Sequence, residues 1–204
     1  MPWSLAAPAP KCSLGVALLL LAACSSAGGP VVLSSRAPHP SSNPDAPVVV
    51  VEYADLECSA CRTVHESIVK PLLEQFGASI RFEMRHFPLT PMHPHALDAA
   101  QAAECAADQG KFWEYADIAF ARQREMSHEA LLAWAKEISL DASRFEPCLA
   151  SGSKRALVFS EYEEGISKGV EGTPTFFVNG EKVEGKLGAI QRAIEAAEGS
   201  VGQR

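Results

Sequence analysis

Val48-Val49-Val50-Val51-Glu52-Tyr53-Ala54-Asp55-Leu56-Glu57-Cys58-Ser59-Ala60-Cys61 is the stretch whose pattern decides the fold of this chain. The run 48–53 is β-branched and apolar, the mark of a strand covered on both faces. Residues 54–57 fit a loop, and residues 58–76 a helix that stops at Gly77. Pro71 falls inside that helix, where a lost hydrogen bond predicts a kink. The first N–H groups of a helix have no internal partner, and the aligned peptide dipoles put positive charge there. Cys58, at that end, is expected as the acidic thiol whose thiolate attacks disulfides. Cys61, one turn in, is placed to attack back and release the partner.

Downstream, residues 79–87 alternate and predict a second strand, with Ile80, Phe82, Met84 and His86 on one face. A proline-punctuated loop at 88–94 follows. Amphipathic periodicity then predicts helices at 95–108, 111–122, 127–138 and 142–151, and a fifth at 154–168. Ser127 suits an N-cap. Residues 175–178 fit a strand, Asn179-Gly180 is a strong hairpin signal, and residues 181–183 pair back. A helix at 188–197 closes the pattern. The aromatic set Phe112, Trp113, Tyr115 and Phe120 fits core packing between helices better than a ligand box.

The chain has 204 residues, 47% of them apolar and 21% charged, with a formal net charge of −7. No lysine- or arginine-rich run stands out, which argues against nucleic acid as a partner. Residues 13–23 form an apolar segment behind Lys11, too short for a comfortable membrane span and suited to a signal-peptide core. The segment ends in Leu21-Ala22-Ala23-Cys24, which resembles the lipobox of bacterial lipoproteins. That resemblance implies cleavage before Cys24 and acylation of it. The expected organisation is a signal peptide at 1–23, a Ser/Pro/Gly-rich lipid-anchored tether at 24–46, and a folded domain at 47–200. Such a protein is exported and works on the periplasmic side of a bacterial membrane.

Export constrains the cysteines. Of six, Cys12 goes with the signal and Cys24 carries the lipid, which leaves Cys58, Cys61, Cys105 and Cys148. An even remainder in an oxidising compartment predicts two disulfides. With Cys58–Cys61 as the local pair, Cys105–Cys148 is the natural second one. A separation of 43 residues suits a structural staple better than a second redox relay.

The strand, Cys58-Ser59-Ala60-Cys61, the helix, the helical insertion and then Gly172-Thr173-Pro174-Thr175-Phe176-Phe177-Val178-Asn179-Gly180 together resemble a DsbA-like thiol–disulfide oxidoreductase of the thioredoxin superfamily. Cys105-Ala106 with Gln109-Gly110-Lys111-Phe112-Trp113, and Phe145 with Cys148-Leu149, resemble a bacterial branch with a second cysteine pair. The resemblance implies an α/β, thioredoxin-like fold with an inserted helical subdomain at about 95–168. Cys58 is then the nucleophile and Cys61 the resolving cysteine. Pro174 falls at the family's cis-proline, with Thr173's backbone beside Cys58 to pair with a substrate strand. Glu52 falls where relatives carry a buried acid, which burial would make a proton acceptor for Cys61.

One position departs from the pattern. Strongly oxidising relatives carry a histidine before the second cysteine, and Ala60 stands there, so the direction of exchange is open between oxidase and reductase or isomerase. The expected activity needs no cofactor. Its expected partners are proteins with thiols or disulfides, a membrane redox partner that resets the site, and the membrane itself through the anchor. A competing class is a non-catalytic metal-binding or scaffold module on the same frame. Zinc usually takes four Cys or His ligands, and no second paired motif accompanies Cys58 and Cys61; His93 and His95 suit a structural loop.

Overall fold

The computed structural model describes residues 42–201. The expected signal peptide at 1–23, Cys24 and the tether through residue 41 lie outside the described residues. Four strands form one sheet in the order β2-β1-β3-β4: β1 is Val48–Ala54, β2 Ile80–His86, β3 Thr175–Val178 and β4 Glu181–Val183. β1 runs parallel to β2 and antiparallel to β3, and β4 pairs antiparallel with β3. A parallel pair needs a crossover, and α1 (Ser59–Val64), a π-helical turn (His65–Val69) and α2 (Lys70–Phe76) supply it. Then come α3 (Ala96–Ala107), α4 (Phe112–Ala121), a 3-10 turn (Gln123–Glu125), α5 (His128–Glu137), α6 (Ala142–Ser151), α7 (Arg155–Ser167) and, after the hairpin, α8 (Leu187–Val201). Together these make the α/β, thioredoxin-like fold with a helical insertion.

The alternation of side chains along the central strand sorts the core. Val48 and Val50 face the crossover helices and α8, packing with Ile68, Leu72, Phe176 and Ile190. Tyr53 points the other way, onto Phe87, Val170 and Phe177 with Tyr162 of α7 against them. Gly165 lets α7 come this close: a Cβ there would sit 2.8 Å from Phe87 and 3.0 Å from Tyr53. The insertion has its own core, in which Phe112, Tyr115, Phe120, Leu131, Trp134 and Phe145 pack with both Cys58 and Cys61. Two buried carboxylates tie β2 to the insertion. The His86 N–H donates to Glu161 at 2.7 Å, and the His86 ring meets Glu104 at 2.9 Å.

Some local chemistry matches expectation in place and partner. Ser127 caps α5 by accepting the Ala130 N–H at 3.1 Å. Asn179 and Gly180 both take positive φ, 47° and 87°, as a tight hairpin turn needs. Asn179 also reaches across to β1, its side-chain oxygen accepting the Val49 N–H at 2.8 Å.

One expectation gains detail and one needs correction. Directly before Pro71, where a kink is expected, lies a π-helical turn in which the Lys70 N–H reaches back five residues to the His65 carbonyl. The wider turn falls where the missing N–H breaks the regular pattern. The tether expected to run to Ala46 ends sooner, because residues 42–46 belong to the fold. The Ser42 hydroxyl accepts the Phe82 N–H at 2.9 Å on the outer edge of β2, and the Asn43 N–H donates to Gly77 O at 2.9 Å. An edge strand leaves backbone groups unpaired, and Ser42 satisfies one of them. No helix among the described residues is long and apolar enough to cross a membrane.

Candidate active site

Cys58 is the N-cap of α1, with extended backbone angles (φ −75°, ψ 121°) before the helical run. It is 7% exposed, whereas Cys61, one turn on, has no exposed surface; both are free thiols. The two sulfurs are driven apart in acidity. The Cys58 thiol falls to about 5, first through the hydrogen bond from Cys61, against burial, and then through the N–H groups of Cys61 and Ala60. Cys61 is pushed far above the usual thiol range by burial, by the hydrogen bond it gives to Cys58 and by the charge of Glu52. One thiolate and one thiol, held in contact, is the state this geometry favours.

The other sequence-derived positions gather around this pair. The Cys58 Sγ lies 3.7 Å from the Thr173 carbonyl oxygen, and the Thr173–Pro174 bond is cis. Glu52 shares a face of β1 with Val48 and Val50, is 1% exposed, and has no hydrogen-bond partner on its Oε1. Burial first, and the charge of Cys58 second, raise its carboxyl to about 8. Cys105 of α3 and Cys148 of α6 are joined by a disulfide across 43 residues, with Cα atoms 5.9 Å apart.

Three residues outside that set hold the loop that presents Cys58. Asp55 is fully buried at its side chain; it accepts the Glu57 N–H and the Leu89 N–H, both at 2.8 Å, and meets His93 Nδ1 at 2.8 Å. Burial alone would lower the His93 ring's pKa, but the hydrogen bond and charge of Asp55 raise it. Gln123, from the 3-10 turn, donates its side-chain N–H groups to Leu56 O at 2.8 Å and Cys58 O at 2.9 Å. Glu57 in turn accepts the His95 N–H at 2.7 Å. The proline loop 88–95 and the insertion thus clamp residues 55–58 from two sides. The only sequence signals were an acid three residues before Cys58 and an H-P-H in a proline loop; nothing in sequence marked Gln123. Among the described residues no group of three or more His, Cys, Asp and Glu side chains is placed to hold a metal.

Residues 37–196 match the family model described as thioredoxin. Among curated proteins, the chain is 42% identical over 155 residues to a Na(+)/H(+) antiporter NhaA 3 of Salinispora tropica, covering 75% of this chain and 24% of that protein. A Na(+)/H(+) antiporter NhaA 1 of Mycolicibacterium gilvum is 36% identical over 165 residues, with 79% and 27% covered. The chain therefore spans about a quarter of the length of these relatives. Among solved structures, a thioredoxin-like oxidoreductase from Silicibacter pomeroyi superposes with a TM-score of 0.66 at 26% identity, covering 76% of this chain and 89% of that one. The thiol-disulfide exchange protein alpha-DsbA2 from Wolbachia pipientis gives 0.67 at 21% identity, with 76% and 84% covered.

Proposed function

The chain belongs to the thioredoxin family, and on that footing we propose that it is a thiol–disulfide oxidoreductase exchanging disulfides with protein substrates through Cys58 and Cys61. The observation that carries this is the split acidity of two buried, touching thiols, with Cys58 lowered to about 5 and facing the Thr173 carbonyl. In the oxidised form a substrate thiolate attacks Cys58 Sγ, and the Cys58–Cys61 bond breaks with its electron pair on Cys61. Glu52, buried beneath β1's helical cover and protonated up to about pH 8, delivers the proton that neutralises Cys61. A second substrate thiolate then attacks the substrate sulfur of the mixed disulfide and expels Cys58 as a stable thiolate. Reduction of a substrate disulfide runs the same steps backwards, with Glu52 taking the proton from Cys61. Thr173 and Pro174 offer the edge on which an extended substrate segment docks. No cofactor enters these steps.

The acidity of Cys58 also bears on direction. A stabilised thiolate favours the dithiol form and makes the disulfide more oxidising. Reference thiols near 3.5 and 7 belong to enzymes with potentials of about −120 and −270 mV, and Cys58 lies between them.

Lipid anchoring through Cys24, export, and a membrane partner that restores the disulfide belong to the same proposal. The curated relatives are named as Na(+)/H(+) antiporters, which fits a thioredoxin domain held beside a membrane. The test is catalysis of disulfide formation in a reduced, unfolded protein by the oxidised chain. Wild type accelerates it and Cys58→Ala does not. Equal rates for the two would overturn the proposal.

A further inference from the structure

A pocket of about 280 Å³ opens beside the nucleophile, lined by Glu57, Ser59, Arg62, His93, Gln123 and Arg124. Glu57 and Ser59, which line it, are the chain neighbours of Cys58 on either side. Its charge runs against that of the protein, which is −7 overall. Arg81, Arg85 and Arg122 are each matched to a carboxylate. Arg62 and Arg124, both in this pocket, have no ion pair among the described residues, a state they share with Arg144, Arg155 and Arg192 elsewhere. The acid in the pocket, Glu57, is turned to a backbone task, its Oε2 accepting the His95 N–H at 2.7 Å. Gln123 likewise spends its N–H groups on Leu56 O and Cys58 O.

We propose that this pocket is a specificity subsite that receives a carboxylate side chain, Asp or Glu, adjacent to the reacting cysteine of the substrate. The residue next to that cysteine is displaced from it by one Cα step of about 3.8 Å, the same step that separates Cys58 from Glu57 and Ser59. Two guanidinium groups without partners offer forked donors to one carboxylate. This inference rests on the oxidoreductase reading and adds a substrate class to it.

The test uses the oxidised protein and three reduced two-cysteine peptides, identical except for Asp, Asn or Lys beside each cysteine. Consumption of the Cys58–Cys61 disulfide is followed by acid quench and mass spectrometry. Each rate is divided by that of the same peptide with a small aromatic disulfide, which removes the peptide's own thiol reactivity. The Asp peptide is expected to react about tenfold faster than the Lys peptide at low ionic strength, with the ratio shrinking in high salt. Arg124→Gln should bring the Asp peptide down towards the Lys peptide, Arg124→Lys should keep the preference, and Lys186→Gln, an equal loss of charge elsewhere, should leave it intact. Exchange with no charge preference, or the same ratio in Arg124→Gln as in Lys186→Gln, overturns the subsite alone. Failure of every peptide to react overturns the oxidoreductase reading and the subsite with it.

Discussion

The two cysteine pairs share one core and differ in almost everything else. Cys58, Cys61 and Cys105 all lie in the packing of the helical insertion, with Cys148 against it. Yet Cys105 and Cys148 are joined across 43 residues while Cys58 and Cys61, three apart, stand as thiols. Burial is therefore not what separates a redox pair from a staple. The separation comes from hydrogen bonds. The hydrogen bond from the Cys61 thiol lowers Cys58 first, with the N–H groups of Cys61 and Ala60 adding to it, and Glu52 lies close enough to Cys61 for its charge to raise that thiol further. Beside the second pair, the exposed Ser153 hydroxyl lies 3.5 Å from Cys148.

The largest break in this comparison is a swap of function. Cys58→Ser should lower the exchange rate by at least about 100-fold, whereas Cys105→Ala with Cys148→Ala should leave most of it. A comparable loss in both would make the second pair part of the reaction. The reverse holds for stability. Loop-closure entropy makes the 43-residue bridge worth up to about 4 kcal/mol. The double alanine variant should melt about 10 °C lower, and Cys58→Ser should move far less in the same melt.

Glu52 sharpens the contrast through pH. Its pKa rises from 4.5 to about 8 on folding, so the folded state keeps a proton that the unfolded chain has lost. That contribution is fully present below 4.5 and is lost as pH rises through about 8. In the oxidised protein Cys58 carries no charge and burial alone holds the Glu52 carboxyl up, so unfolding free energy should fall by at most about 1.4 kcal/mol per pH unit as pH rises above 4.5. Glu52→Gln should flatten the slope, and a slope unchanged by the substitution would place Glu52's titration elsewhere. The smallest effect belongs to the clamp. Gln123→Ala removes two hydrogen bonds; Leu56 O loses its Gln123 donor while Cys58 O keeps the Arg62 N–H, at a cost of about 1–3 kcal/mol by denaturant titration.

What the sequence disclosed follows the same line between local and distant. The valine run at 48–51, the C-x-x-C, the Asn179-Gly180 turn and the Ser127 cap each carry their meaning within a few residues, and each sits where the pattern put it. The succession of strands and helices along the chain was legible because alternation and 3.6-residue periodicity survive in the sequence; the sheet order β2-β1-β3-β4 was not. Asp55, His93 and Gln123 were not, because their partners lie 38 and 65–67 residues away and no spacing encodes such pairs. Ser42 was hidden for a different reason. Its neighbours have the composition of a linker, and only the unpaired edge of β2 gives it a structural task.

The acidity of Cys58 sets a stoichiometry as well as a rate. Between about pH 5 and 8 the reduced site carries Cys58 as thiolate and Glu52 as acid. Opening the disulfide there takes up two electrons but a single proton, which rests on Cys61. The site then stores a hydride equivalent, and its reduction potential falls by about 30 mV per pH unit, half the slope of an ordinary dithiol. Against an ordinary dithiol substrate, which gives up two protons, each oxidation therefore releases one proton to the compartment, and its driving force grows by about 30 mV per pH unit as the compartment turns alkaline.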